Sequence, residues 1–590
     1  MFLHQATRFV PFFCFSVLIG ALPSLSQESA APRQKNAARA KEIYSEGISS
    51  LKKGDVIAAR AAFEKVVRLA PNTPEPHNSL GWVLLQQGHA DSAVSQFRFA
   101  LKLKPQFVQA HINLANALAT QRNFAEAALE AREATRIAPE NSEAHRTLGR
   151  ILSLRGDPSG AAAEMQTAIT ADPARADLHD DLGSIREQAG QIDDAAAQFA
   201  DALRLQPEYF PAKVHLGIVR WQQKSFPEAH DLLADAVQTN PQSAEAHYYF
   251  ARVLEDEGHS RDAIEELKQA TDLQPNFAAA QESLGLLSQR AGDAAGAVAA
   301  FQHLVTLQPD DPNAHNNLGL ALIQSGDAAK SIAEFETALR LRPGDAGYTE
   351  NLGTAYLQRT DFDSAIKQFQ AALNIAPDDA TAHYDLGLAL KMKDQLPAAL
   401  AEFQKAAELS PEQPDIRYTL GVTLWQKGDF ADAERELHAA TVAKPDYAEA
   451  YYTLGNVLKQ DNKLDDAAAA LRKAIEINPN LVGAHTNLAA ILRQQGNTSA
   501  ADAETRRAQE LFRQSNSLQA ATFNTNSGQK LLQAGDIEGA ISQFRSAISL
   551  APNYAPAHQK LAEALAQKGQ RNEADEEFRK AAELQTKRQP

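Results

Sequence analysis

The stretch PDDPNAHNNLGLALIQSGDAAKSIAEFETALRLRP, residues 309–343, contains one full period of the fold. After Asp311-Pro312, which reads as a helix cap and a first-turn proline, apolar and small residues recur at helical spacing through Leu318, Gly319 and Leu322. Gly326-Asp327 then interrupts, supplying a left-handed helix stop followed by a carboxylate placed to cap the next helix. A second helical pattern runs through Ser331, Phe335 and Ala338, and Pro343 ends it.

The same proline recurs from Pro71, Pro105 and Pro139 through to Pro479, thirteen times in succession at a spacing of 34 residues. A period of that length marks a solenoid of copied helix pairs. With this proline counted as position 32, position 7 is leucine almost throughout (Leu80, Leu114, Leu148), position 8 is small (Gly81, Ala115, Gly149), position 20 is alanine (Ala93, Ala127, Ala161) and position 24 is mostly phenylalanine or leucine (Phe97, Phe199, Phe301). Small residues let two helices approach, and the leucine and phenylalanine fill the space between them. One pair cannot bury its own apolar face, so stacked neighbours supply a continuous core.

These residues carry a resemblance to tetratricopeptide repeat proteins, covering residues 40 to 588. The resemblance implies an all-α fold, a right-handed superhelical solenoid of helix-turn-helix repeats. Fourteen repeats are expected over 40–515, an insertion or hinge at 516–520 (NSLQA), and two further repeats over 521–588. Arg513 replaces the position-32 proline, and Ser527 at position 7 matches Glu46 of the first repeat, so the fifteenth repeat reads as a second beginning. The sequence fits both a hinge and one long helix there.

Arg8, the apolar run Phe9–Leu22 and the small residues of Ser24-Leu25-Ser26 make residues 1–26 an expected signal peptide. Cleavage after Ser26 would remove Cys14, the sole cysteine. The run is short for a membrane span, so no span is expected after its removal; an uncleaved anchor is the alternative. Residues 27–39 are polar and read as a flexible tether. An exported protein, periplasmic or secreted, is expected.

In a chain of 590 residues, a net charge of −16 argues against nucleic-acid binding, since little would neutralise phosphate. Histidines fill position 4 in nine repeats, including His111, His247 and His383, but they lie a repeat apart, too far to share a metal, and read as packing residues. Paired carboxylates such as Asp193-Asp194 and Asp465-Asp466 fall at helix starts, where they complement the dipole. Metalloprotease, phosphate-loop, nucleophile-elbow and calcium-loop motifs are absent, and with repeats running to residue 588 no appended catalytic domain is expected. No enzyme activity, metal or cofactor is expected.

In the family this chain resembles, positions 2, 5, 6, 9, 12 and 13 line a groove that binds peptide. Position 13 supplies Gln358, Gln426 and Gln460, whose amides suit an extended backbone, and position 6 supplies Asn317 and Asn351. The asparagines resemble in part the ladder in the repeat half of O-linked N-acetylglucosamine transferases, broken here by Ser79, Asp181, His215 and Tyr249. No run of repeats supplies the carboxylate clamp of chaperone-binding members. Tyr384, Tyr418 and Tyr452 at position 5, with Trp425 at position 12, form an aromatic stripe, and Tyr248, Tyr249 and Arg252 a second cluster. The rings fit either a partner surface or packing on neighbouring helices. The expected function is a non-catalytic scaffold that binds extended or helical protein segments in the bacterial envelope. The alternative is an accessory subunit presenting substrate to a separate glycan-processing or secretion enzyme; direct carbohydrate binding is a third reading.

Overall fold

The computed structural model describes residues 31–586, which form thirty-one α-helices with no strand among the described residues. The expected signal peptide, residues 1–26, lies outside the described residues. From Ala31 onward the expected tether is helix, because the first helix spans Ala31–Lys52. Pro32 sits in its first turn and the following Arg, Gln, Lys and Ala are good helix formers, so polar composition did not imply irregular chain.

The chain divides into two compact units, residues 1–307 and 308–590. In each, the first helix of a repeat packs on its own second helix, on the next repeat's first helix and, through its second helix, on that same neighbour. Repeat 2 of the first unit pairs helix Pro74–Gln86 with helix Ala90–Leu103. Phe97 of the second helix is fully buried, and a Cβ added to Gly81 would lie 2.7 Å from its Cε1. Repeat 9 of the second unit repeats the arrangement, with an added Cβ on Gly319 2.6 Å from Phe335 Cε1. Repeat 3 solves the same space in reverse, with Ala115 facing the position of buried Ala131. Glycine at position 8 thus makes room for the bulky side chain at position 24, a ring in these repeats and Leu233, Leu437 or Leu471 in others.

The turn between the helices takes a left-handed residue at position 15. Gly156, Gly292, Gly326, Gly428 and Gly535 have φ of 79 to 94° as expected. Arg122, Lys224, Thr360, Asp394 and Asn462 hold the same conformation with side chains, at φ of 59 to 61°. The following carboxylates Asp157, Asp293, Asp327 and Asp536 each accept from a backbone amide of the helix they precede. Asp429 and Thr73 occupy cap positions without making that bond.

Position-4 histidines tie three elements together. His383 Nδ1 lies 2.6 Å from Glu402 Oε2 of its own second helix, and Nε2 lies 3.0 Å from the Pro377 carbonyl of the preceding turn.

Residues 516–520 lie inside one helix, Thr498–Gln533, 36 residues long. No Gly or Pro interrupts it between Gly496 and Gly528, and Arg513 replaces the proline that would have ended it. The stack changes character there. Position 21 faces outward as Asp502 and position 28 as Gln509, where repeats 11 and 13 have Leu400 and Ala468, Ala407 and Ile475. Phe523, at position 3 of repeat 15, is 72% exposed, whereas Ala382, Ala450 and Ala484 at that position are buried under the preceding helix. Repeat 14 thus turns a polar face outward where inner repeats are apolar, and its second helix runs on without a break into the first helix of repeat 15.

Candidate binding groove

The groove face is built by helical phase. In repeat 12, Ile416, Leu420, Gly421, Thr423 and Leu424 are buried, while Asp415, Tyr418, Thr419, Val422, Trp425 and Gln426 are half-buried or exposed. The same phase in each repeat aligns positions 2, 5, 6, 9, 12 and 13 along the first helices.

Two rows of hydrogen bonds run along this face. In the first unit, position 5 of one repeat reaches position 6 of the next: Tyr44 hydroxyl to Ser79 at 2.8 Å, Asn113 Nδ2 donating to Asn78 Oδ1 at 2.9 Å, Arg146 Nε donating to Asp181 at 2.5 Å, and His215 Nδ1 against Asp180 at 2.8 Å. Burial opposes charge on His215, yet Asp180 outweighs it and pushes the imidazole up to about 9. In the second unit, Asn351 Nδ2 donates to Asn316 Oδ1 at 2.8 Å, and the Tyr384 hydroxyl meets Thr419 at 3.1 Å. Tyr418 and Thr453 hydroxyls stand 3.5 Å apart.

The second row joins position 12 to position 13 of the next repeat. Ser153 donates to Gln188 at 2.8 Å and Trp221 Nε1 to Asp256 at 2.6 Å in the first unit. In the second, Gln358 Nε2 donates to the Ile323 carbonyl at 3.1 Å, and Trp425 Nε1 donates to Gln460 Oε1. Two of the three glutamines read from sequence as ligands for an extended backbone are thus already bonded between repeats, although Gln358, Gln426 and Gln460 all remain exposed. Asn317 and Asn351 are half-buried on the same face.

The aromatic stripe is brought together as expected, and its rings also pack. Tyr384 lies 5.7 Å from the Phe403 ring, and Tyr418 lies 5.2 Å from Tyr447. The Tyr452 hydroxyl would meet a Cβ on Gly483 at 2.6 Å. Tyr384, Tyr418, Trp425 and Tyr452 nonetheless stay half-buried, with one side packed and the rest open.

The second cluster differs from expectation. Tyr248 is buried, with its ring 4.8 Å from Phe277 and its hydroxyl accepting from Arg252 at 3.3 Å, so it supports the site from beneath. The ring that Arg252 covers is Trp221, 5.0 Å from the guanidinium, with Tyr249 at 6.3 Å from the indole. Sequence reasoning passed over Trp221 because it was sought among neighbours in one repeat; its position, 12, is the one Trp425 occupies.

Among the described residues, no group of three or more His, Cys, Asp or Glu is placed to hold a metal ion, and no helix is long and apolar enough to cross a membrane.

Family models described as Tetratricopeptide repeat match residues 78–142, 181–244, 289–346, 350–414 and 418–482, with further matches at 220–287, 531–589 and 470–503. No curated protein matches the chain. The solved APC/C hetero-tetramer Cut9–Hcn1 is 14% identical over 90% of this chain and 98% of that one, at a TM-score of 0.36. YrrB, described as a TPR protein with an unusual peptide-binding site, is 25% identical over 31% of this chain and 95% of its own, at 0.28. MamA from Desulfovibrio magneticus RS-1 is 25% identical over 29% and 96%, at 0.27.

Proposed function

The chain belongs to the tetratricopeptide repeat family, and from that premise we propose that it is a non-catalytic scaffold whose first-helix groove binds an extended or helical segment of a partner protein. The observation that carries this reading is the half-open aromatic stripe of Tyr384, Tyr418, Trp425 and Tyr452 on consecutive repeats. Aromatic rings held by packing on one side offer contact area at small entropic cost. The rows of inter-repeat bonds support it further, because they hold the face in one shape before a partner arrives.

The test is the double variant Tyr418→Ala with Trp425→Ala. Partners are captured from native extract with the unaltered protein and identified, and their affinity for the variant is then measured. A loss of about tenfold or more, with helicity kept, is expected. Unchanged affinity would remove this site.

The same proposal places the scaffold in the bacterial envelope, on the strength of Arg8 and the apolar run Phe9–Leu22. Fractionation with amino-terminal sequencing of the mature protein tests it: cleavage after Ser26 supports export, and an intact amino terminus in the membrane fraction supports anchoring.

A further inference from the structure

Along the second unit, one rung of the position 5 to position 6 row is unlike the others. Asn316–Asn351 and Tyr384–Thr419 pair a donor with an acceptor. Between them, the same register sets Glu350 at position 5 of repeat 10 against Asp385 at position 6 of repeat 11. The register thus brings two acceptors near one another where the bonded rungs pair a donor with an acceptor.

Among the described residues no cation is paired with either carboxyl; Lys391, on the same groove face, donates to the Thr423 hydroxyl at 3.2 Å. Burial, with Asp379 and Asp385 nearby, pushes the Glu350 carboxyl up to about 7, and burial with Asp379 pushes Asp385 up to about 6. Asp379 is committed to capping its helix through the amides of Thr381 and Ala382, at 2.9 and 3.2 Å. Among the described residues, neither Glu350 nor Asp385 forms an ion pair. The contrast is the first unit, where Arg146 meets Asp177 and Asp181, and Asp180 meets His215.

The rung lies on the same first-helix face as the aromatic stripe. Tyr384 adjoins Asp385 in sequence, Tyr418 and Trp425 follow one repeat on, and Asp415 and Glu449 at position 2 continue the acidic edge of the groove. Carboxylates beside half-open aromatic faces favour one kind of ligand. A cation gains charge-assisted hydrogen bonds from the first and quadrupole attraction from the second, and it relieves the repulsion between the two carboxyls.

We propose that the groove over repeats 10–13 takes a partner segment that presents a lysine or arginine to Glu350 and Asp385 while its neighbouring apolar side chains lie on Tyr418 and Trp425. The inference rests on the scaffold reading above and adds the chemistry of the partner.

The full chain is titrated with four labelled random-peptide pools whose central residue is fixed as lysine, arginine, norleucine or glutamate. At about pH 7.5 the lysine and arginine pools should bind at least about tenfold more tightly than the other two. That preference should vanish in Glu350→Gln with Asp385→Asn, a pair that keeps both shapes and removes the repulsion, so the Tm should hold or rise. It should also fade in the unaltered protein as pH falls to about 5 and the carboxyls protonate. Equal binding of all pools, or a preference that survives the double substitution, would overturn the inference. If the pools bind equally but Tyr418→Ala with Trp425→Ala abolishes binding, the scaffold reading stands and only the cation is wrong. If no pool binds, both fail.

Discussion

His111 Nδ1 lies 2.6 Å from Glu130 Oε2 on the second helix of its repeat, and its Nε2 lies 2.8 Å from the Pro105 carbonyl. A carboxylate and a carbonyl both accept, so the pair of contacts favours the doubly protonated ring, in which both nitrogens donate. Arg417 shows that the slot accepts a permanent charge: its Nε donates to the Pro411 carbonyl at 3.2 Å and its NH1 to Glu436 at 2.5 Å. At His77 and His179 the second helix offers an amide instead, with Nδ1 at 2.7 Å from Gln96 and 3.0 Å from Gln198.

Stability should therefore fall as pH rises through and above neutrality. Burial resists charge on His111, but the Glu130 hydrogen bond and the Pro105 carbonyl outweigh it and raise its pKa; at His247 the Glu266 bond leads and burial resists less. A histidine raised above its unfolded value of about 6.5 contributes fully below that pH and loses its contribution as pH climbs through the folded value. Glu350 and Asp385, raised carboxyls, act in the same direction at lower pH, between their ordinary values and about 7. Thermal melts from about pH 6 to 9 should show a falling Tm, with a shallower slope in His111→Gln with His247→Gln. A rising Tm, or a slope the double variant leaves unchanged, would contradict the charged-ring assignment.

Volume exchange between positions 8 and 24 gives a coupling prediction. Gly81→Ala presses a methyl against Phe97 and should cost about 1–3 kcal/mol. Phe97→Ala empties a fully buried site and should cost about 3–5 kcal/mol. The double variant recreates the natural Ala115 and Ala131 of repeat 3, so its cost should fall short of the sum by about 1 kcal/mol or more. Denaturant melts of the three variants measure this, and strict additivity would refute it.

The fold was legible in the sequence because each period states its own packing: Gly319 and Phe335 are contact partners within one repeat, and Gly326-Asp327 is a stop and a cap in adjacent residues. The site was legible only in part. Which side chains share the groove face follows from helical phase, so Tyr384, Tyr418 and Trp425 were found together. Their partners lie a repeat away. That Trp425 meets Gln460, that Trp221 lies under Arg252, and that Tyr248 is buried depend on the offset between neighbouring first helices, which no local pattern encodes. The long helix was undecided for a related reason: losing a proline at Arg513 permits continuation, but only the exposure of Phe523 shows that the preceding helix does not fold back.

Thr360 sits at the turn position with φ of 60°, a conformation in which a β-branched side chain crowds its own backbone. Gly326, one repeat earlier, takes the same turn at φ of 85° with space around it. Thr360→Gly should raise stability by about 0.5–1 kcal/mol, the relief of left-handed strain less the added freedom of the unfolded chain. Thr360→Ala, which keeps the Cβ, should recover little of that gain. Equilibrium unfolding of both variants decides the matter, and destabilisation by glycine would mean that the threonine side chain contributes more here than the strain costs.

The helix Thr498–Gln533 carries its middle turns without a repeat stacked on both sides, so its continuity depends on backbone hydrogen bonding that a single residue can break. Ser517→Pro, within the inserted segment, removes one such bond, clashes with the preceding turn and should cost that helix about 3 kcal/mol or more. Because stability in a repeat array is transmitted between neighbours, the damage should stay local: repeats before residue 498 should melt as before, while the last two repeats lose their tie to the stack. Limited trypsin digestion reads this directly. The unaltered chain should resist cleavage at Arg513, inside the helix, whereas the proline variant should be cut there first and release a carboxy-terminal fragment that begins just after it. Equal cutting at Arg513 in both proteins would show that the segment opens on its own and that the two stacks are joined by a hinge.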